Sequence, residues 1–416
     1  MYQRIIFYIA FSLQMFVYEA FAQEKITVTG AFQARNLVID KDDSLQIFVK
    51  VFFNPSFQEI NEESIKKRFK IFYRVKEDYD NPNWQLNSAE ISWATTKILV
   101  DRYGFAWSFT IPKSRVSPTG LLIIDLMDNE ESRKHQILFN LTFAKTKIRE
   151  DFAVFAENSS FPLLSGFLEE EKSFQLRNLT QQSTNFYVTR FRDDYEAALL
   201  PMNLSKPKQK ANLEVDTVFQ VRSNQAIKLP KGLYLIRQDT AAFYGIGLRI
   251  EPAAYPNYTQ KEQLISSLAY IAQQAEIEKI QKSEDIKSAV DYFWLNLYRG
   301  EALKAKEVVK KYYERVRKAN YRYATFKEGW KTDMGMIFII FGEPDEVQTE
   351  KNNQKWIYKG NEGYANDKGK RFTRLVFTFS RRPNQFFEDY YTLLRYIEYE
   401  NIWETMIGAI RKGTAF

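Results

Sequence analysis

The stretch GWKTDMGMIFIIFGEPDEV, residues 329–347, sets Gly, Trp, Thr and Asp within five residues, runs apolar from Met336 to Phe341 and closes on Gly342-Glu-Pro-Asp345. Its reading decides what the C-terminal part of the chain is built on. A short run of β-branched, aromatic and Met residues between turn signals reads as a strand. In that reading Gly329 supplies a backbone angle that other residues avoid, and Trp330 anchors the incoming loop with a buried ring. Thr332 and Asp333 bond their own backbone in a turn, and Gly335 lets the chain reverse into the strand. Gly342 and Pro344 end the strand, and Asp345 caps the next element. Every residue is then explained without chemistry.

The chemical readings are weaker. Asp333, Glu343, Asp345 and Glu346 are the available acids and bases. Across a strand, Asp333 and Asp345 would stand roughly 25 Å or more apart, whereas paired catalytic carboxylates need about 5–9.5 Å. His135 is the single histidine. It sits among Ile137 and Phe139 in an apolar strand, which makes it a core residue rather than a member of a Ser-His-Asp set. With one histidine and no cysteine, thiolate and transition-metal sites are not expected. Calcium or magnesium on Asp333 and nearby carbonyls is the one metal chemistry left open, because those ions need only oxygen ligands. Gly245-x-Gly247 lacks the third glycine and the helix start of a dinucleotide site. No catalytic residue, metal or cofactor is assigned.

The first residues carry Arg4, an apolar stretch from Ile5 to Val17 and Ala20-Phe21-Ala22. That is the layout of a secretory signal cleaved after Ala22, and the stretch is shorter than the about 20 apolar residues that span a bilayer. Export to the periplasm or outer membrane is expected, and without cysteine there is no lipid anchor. The net charge of +7 is compatible with weak contact to polyanions or a membrane surface. Nucleic acid is not an expected partner for an exported chain.

Short strands dominate up to about Pro256. Leu45–Phe52, Phe69–Val75, Ala106–Ile111, Gly120–Leu126 and His135–Phe143 are separated by turn signals at Asp80–Asn83 and Ser117–Gly120, and Trp107, Phe109 and Ile111 alternate onto one face. A second group follows at Phe174–Leu176, Phe186–Val188, Val218–Val221, Gly232–Ile236 and Phe243–Leu248. The period then becomes helical. One helix carries Leu264 to Ile280, a second is capped by Ser283 and ends at Arg299-Gly300, and a third buries Ala305, Val308, Tyr312, Val316 and Ala319. Residues 257–326 hold 13 Lys/Arg against 9 Asp/Glu, with Lys310, Lys311, Arg315, Arg317 and Lys318 forming a candidate docking face. Lys355–Tyr358 and Arg371–Ser380 read as strands around a polar loop at 360–370, and Tyr390–Ile410 as a helical tail. The expected fold is multidomain α+β. It comprises a signal at 1–22, two antiparallel Ig-like β-sandwich modules at 23–146 and 147–256, a helical connector at 257–326 and an α+β domain at 327–416.

Gly329-Trp330-Lys331-Thr332-Asp333, Met334-Gly335 and Gly342–Glu346 together resemble the signature of the GWxTD domain family of bacterial envelope proteins. The likeness extends through Phe293-Trp294, Tyr312–Asn320 and Trp356–Tyr358, over about residues 290–415. It implies an exported envelope protein and no defined reaction. Phe341–Val347, Trp356-x-Tyr358 and Leu375–Phe379 are also similar to the small lipoprotein subunit of the outer-membrane β-barrel assembly machine, from which this chain departs in length and in lacking the lipidated cysteine. The expected function is a non-enzymatic binding or scaffold component of the envelope acting through protein partners, with the sandwich faces as its contact surfaces. Gly329, Trp330, Thr332, Asp333, Gly342, Pro344, Asp345, Trp356 and Tyr358 are the candidate motif or partner surface. The rival is a hydrolase on envelope polymers with Asp333 as its central carboxylate.

Overall fold

The run expected as a strand at Met336–Phe341 is helical: Asp333–Phe341 form an α-helix. Thr332 is its N-cap, accepting the Gly335 N–H on Oγ1 at 3.0 Å, and Asp333 in the first turn suits the helix dipole. Every residue from Gly335 to Phe341 is buried. A run that is apolar on all sides carries no period to tell helix from strand, so the cap was the deciding signal.

The computed structural model describes residues 28–30, 32–53, 61–76, 85–114, 118–143, 151–178, 183–192, 195–205, 213–360 and 374–415. The expected leader at 1–22, the expected turn at 80–83, Ser117, and the expected polar loop beyond residue 360 lie outside them. Within them the chain is mixed α+β, with mostly antiparallel sheets and seven α-helices.

The N-terminal part contains β1 (Val28–Gly30), β2 (Ala34–Lys41), β3 (Ser44–Phe52), α1 (Glu62–Arg68), β4 (Phe69–Lys76), β5 (Gln85–Ile91), β6 (Ile98–Asp101), β7 (Gly104–Pro112), β8 (Thr119–Asp128) and β9 (Arg133–Thr142). Two four-stranded sheets form, ordered β2-β3-β7-β6 and β5-β4-β8-β9. Their facing residues share one core, with Ile47, Val49 and Trp107 from the first against Ile71, Leu122 and Ile124 from the second. Trp107, Phe109 and Ile111 all turn into it, as alternation requires.

The next part contains β10 (Ala153–Ala156), β11 (Phe167–Glu169), β12 (Phe174–Arg177), β13 (Asn185–Phe191), β14 (Val215–Arg222), β15 (Gly232–Arg237) and β16 (Ile246–Glu251). β10 pairs with β12, and the other strands form a sheet ordered β11-β16-β15-β13-β14. β11 and β16 run parallel, a departure from the all-antiparallel expectation. The chain makes the long connection such a pair needs by passing through β12–β15 first. Phe243 precedes β16 and is exposed, so the strand begins later than its sequence suggests.

The helices are α2 (Lys261–Ser266), α3 (Gln274–Gln281), α4 (Ile286–Leu297) and α5 (Ala302–Tyr323), followed by α6 (Asp333–Phe341). The single helix expected from Leu264 to Ile280 is interrupted by a 3-10 turn at Ser267–Tyr270. Asp285 rather than Ser283 caps α4, accepting the Ser288 N–H at 3.2 Å. α5 buries Ala305, Val308, Tyr312, Val316 and Ala319, the stripe read from the sequence. The chain ends with β17 (Glu346–Thr349), β18 (Asn353–Lys359), β19 (Arg374–Arg381), β20 (Tyr391–Leu393) and α7 (Tyr399–Lys412). β20 takes the start of the tail expected to be helical.

The last sheet is ordered β1-β17-β18-β19-β20. β1 therefore belongs to the C-terminal sheet, pairing Gly30 with Val347, although it lies in the segment expected to belong to the first sandwich. The sheet shares its core with α5, α6 and α7 through Tyr312, Phe338, Trp356, Phe377 and Trp403. Among the described residues no helix is long and apolar enough to cross a membrane.

Candidate functional site

Residues Gly329–Lys331 form a 3-10 turn laid against α5 and capped into α6. A Cβ on Gly329 would stand 2.0 Å from the carbonyl oxygen of Ala319, and one on Gly335 would stand 1.9 Å from that of Gly329. The two glycines thus allow three backbone segments to touch. Neither has a positive φ, so their role is close approach rather than an unusual angle. Gly342 is the conformational glycine: its φ of 81° is one that side-chain-bearing residues avoid.

The backbone of the turn and its Thr and Asp side chains are bonded internally, while the Trp330 indole N–H is buried without a partner among the described residues. Asn320, fully buried on α5, accepts the Trp330 N–H at 3.0 Å. The Tyr270 hydroxyl donates to the Trp330 carbonyl at 3.0 Å, with its ring edge-on to the indole. Thr332 donates to the Gly329 carbonyl at 2.7 Å while capping α6. Trp330 is 3% exposed and Asp333 5%. Asp333 does not bond its own turn. It reaches the C-terminal strand, accepting the Leu393 N–H at 2.8 Å and pairing with Arg395 at 2.5 Å. Arg395 in turn donates to the Leu199 carbonyl at 3.0 Å, so one ion pair fastens α6, β20 and the segment after β13.

Residues 232–412 match the GWxTD domain family. The chain carries a GWxTD domain. No curated protein matches the chain. The matched span begins at β15, earlier than residue 290, and so includes Tyr255 and Tyr270. Tyr255 donates to the Asn320 carbonyl at 3.1 Å, behind the bond from the Trp330 N–H to the Asn320 side chain. The residues that wrap the GWxTD turn therefore fall inside the matched span.

The remaining candidates of the GWxTD domain are also interior. Trp356 and Tyr358 of β18 are buried, the Tyr358 hydroxyl donating to the Gly342 carbonyl at 3.1 Å. Pro344 is buried, and Asp345 alone is exposed, where it accepts the Lys359 N–H at 2.7 Å instead of capping a helix. Glu343 pairs with the buried Arg322 at 2.6 Å. The carboxylates around the turn thus each hold a different partner.

The basic face of α5 is not one surface. Arg315 turns inward and donates to the Ile339 and Ile340 carbonyls at 3.0 and 2.9 Å, closing the C-terminal end of α6. Lys311 pairs with Glu307 at 2.8 Å and Lys318 with Glu314 at 3.3 Å. Arg317 lies 3.9 Å from Glu314 and over the Tyr103 ring, while Lys310 is exposed.

Two titratable groups flank the turn. Burial opposes ionisation of Glu328, but Lys331 at 2.6 Å, Arg249 and a bond from the Tyr258 hydroxyl hold its pKa below the usual carboxylate value. Burial lowers the Lys327 amine to about 8 against the attraction of Asp333. Far from the turn, Asp128, Glu131 and His135 come within 4.8 Å of one another. Arg68 already supplies the positive charge there, 2.6 Å from Asp128 and 3.1 Å from Glu131. His135 is buried with Phe32 edge-on to it, as a core histidine is.

Sequence reasoning missed Asn320, Arg322 and Arg395. Asn320 lies on the apolar side of α5 next to Ala319, and Arg395 stands among Tyr391, Leu393, Leu394 and Tyr396. A polar residue in such company is the available signal, because it must find a partner when buried.

Proposed function

We propose that the chain is an exported, non-enzymatic binding or scaffold component of the bacterial envelope that acts through protein partners, with its two β regions built as Ig-like sandwich modules. The observation that carries this reading is the fate of the signature. Thr332, Asp333 and the backbone of Trp330 are bonded within the fold, and both oxygens of Asp333 face Arg395 or the Leu393 N–H. A catalytic carboxylate needs room for substrate, whereas this one is a tie between elements.

The β14 edge supports the protein-partner part of the reading. β14 ends its sheet, and Val215 and Val218 on it are 52% and 54% exposed. Its sequence, Val-Asp-Thr-Val-Phe-Gln-Val-Arg, contains neither Pro nor Lys to blunt an edge. Such a strand is a template on which a partner can add its own.

Cell fractionation and native electrophoresis of envelope extracts test the proposal together. The expected result is an envelope protein with its N-terminus at Gln23, migrating in a complex larger than the 49.2 kDa of the full 416-residue chain. Release of soluble fragments from purified envelope polymer, at a rate that falls in a folded Asp333→Asn variant, would establish the hydrolase instead.

A further inference from the structure

The N-terminal sheets, the second β region and the C-terminal sheet meet around a cavity of about 360 Å3, within the range that small-molecule sites occupy. One side is apolar, formed by Phe32, Leu163, Leu164, Met334 and Phe386. The other is polar and short of acceptors. Gln33 accepts from the Tyr323 hydroxyl on Oε1, which leaves its Nε2 buried with no partner among the described residues. Thr325 is 7% exposed and its Oγ1 has none. Arg322 spends Nη1 on Glu343 and Nη2 on the Phe53 carbonyl, and its Nε is buried without a partner among the described residues.

Arg35 completes the polar side. It donates to the Arg322 and Ala324 carbonyls at the end of α5, and among the described residues no carboxylate stands at ion-pair distance from it. Burial lowers its pKa, with Asp389 opposing. Two lining carboxylates are already committed, Asp40 to Lys113 at 2.5 Å and Asp389 to Arg381 at 3.1 Å, and the third, Glu388, is also engaged. Buried donors left unpaired cost about 1–3 kcal/mol each, so folded chains rarely keep them together without purpose. Two orphan N–H donors beside an arginine with no carboxylate at ion-pair distance among the described residues suit an acceptor that carries negative charge.

We propose that this cavity binds a small organic anion, its carboxylate on Arg35 with help from Gln33 and Thr325, and its apolar body against Phe32, Leu163, Leu164 and Phe386. Isothermal titration of the purified full chain with decanoate, 1-decanol and inorganic phosphate tests it. Decanoate should bind at one saturable site, decanol at least tenfold more weakly, and phosphate not at all. Arg35→Gln should weaken decanoate at least tenfold. Because Arg35 also holds the end of α5, a second variant, Leu164→Trp, fills the apolar side away from the charge. It should abolish decanoate binding while the melting temperature stays within a few degrees. Equal affinities for decanoate and decanol, saturable phosphate binding without decanoate binding, or unchanged decanoate affinity in a folded variant of either kind would overturn the assignment.

Discussion

Asp333 and Arg395 have side chains only 6% and 11% exposed, so their pairing is a matter of what each leaves behind. Asp333→Leu strands a buried guanidinium and should cost about 3–5 kcal/mol of unfolding free energy in urea. Adding Arg395→Met removes that stranded charge and should recover part of the loss, leaving mainly the Leu393 N–H without an acceptor. A single-variant loss below 1 kcal/mol would mean the pair holds nothing. Lys327 offers a second test, in pH. Its folded pKa of about 8 lies below its ordinary 10.5, so between these values the unfolded chain binds more protons and stability rises with pH. The penalty of the charged amine is fully present below pH 8 and gone above about pH 10.5. Lys327→Met should therefore be the more stable form at pH 7 by about 3 kcal/mol, with most of that gain gone by pH 10. A gain of the same size at both pH values would show that titration of Lys327 is not its source.

The three-way contact of α5, α6 and the 329–331 turn rests on backbone approach. A methyl at position 335 would meet the Gly329 carbonyl, which cannot swing aside as a side chain does. Gly335→Ala should cost more than about 3 kcal/mol or prevent folding, as overpacking at rigid backbone does. Gly408 in α7 has nothing within 4 Å of the same added atom, so Gly408→Ala should gain about 0.5–1 kcal/mol from helix propensity alone. Thermal melts of the two variants give opposite signs in this account, and equal signs would refute it. The same contrast explains what was legible beforehand. The stripe of α5 and the alternation of β7 were readable because each element has one wet face. α6 was misread because it has none, and only Thr332-Asp333 marked its start. β2, β5 and β6 were passed over as half-exposed, polar or very short, and β1 because pairing with β17 is a tertiary choice. The buried polar partners Asn320, Arg322 and Arg395 show the same limit, since a sequence displays a polar residue in apolar company but not the group that satisfies it.

At the scale of the molecule, the C-terminal end of α5 is where the parts are joined. Tyr321 donates to Asp101 at 2.9 Å beside the buried Lys50, and its ring stacks 3.7 Å from that of Tyr103. Arg322 links Glu343 to the Phe53 carbonyl, and Tyr323 reaches Gln33. The side chains of three consecutive residues of the GWxTD domain thus tie it to the N-terminal part, Arg35 and Asn140 add bonds to its backbone carbonyls, and β1 adds a strand in the opposite direction. Buried ties with exact partners couple two folding units only while both ends are satisfied. The wild-type chain should therefore melt the N-terminal sheets and the C-terminal sheet in one calorimetric transition. Replacing the joint with Tyr321→Phe, Arg322→Met and Tyr323→Phe removes the donors while keeping most of the apolar packing, and the Arg322 change alone should cost about 3–5 kcal/mol by leaving Glu343 without its cation. The transition should then split in two, the N-terminal sheets melting separately because their own core is intact. A single transition that merely moves to lower temperature would show that packing and β1, rather than this polar joint, make the molecule one cooperative body.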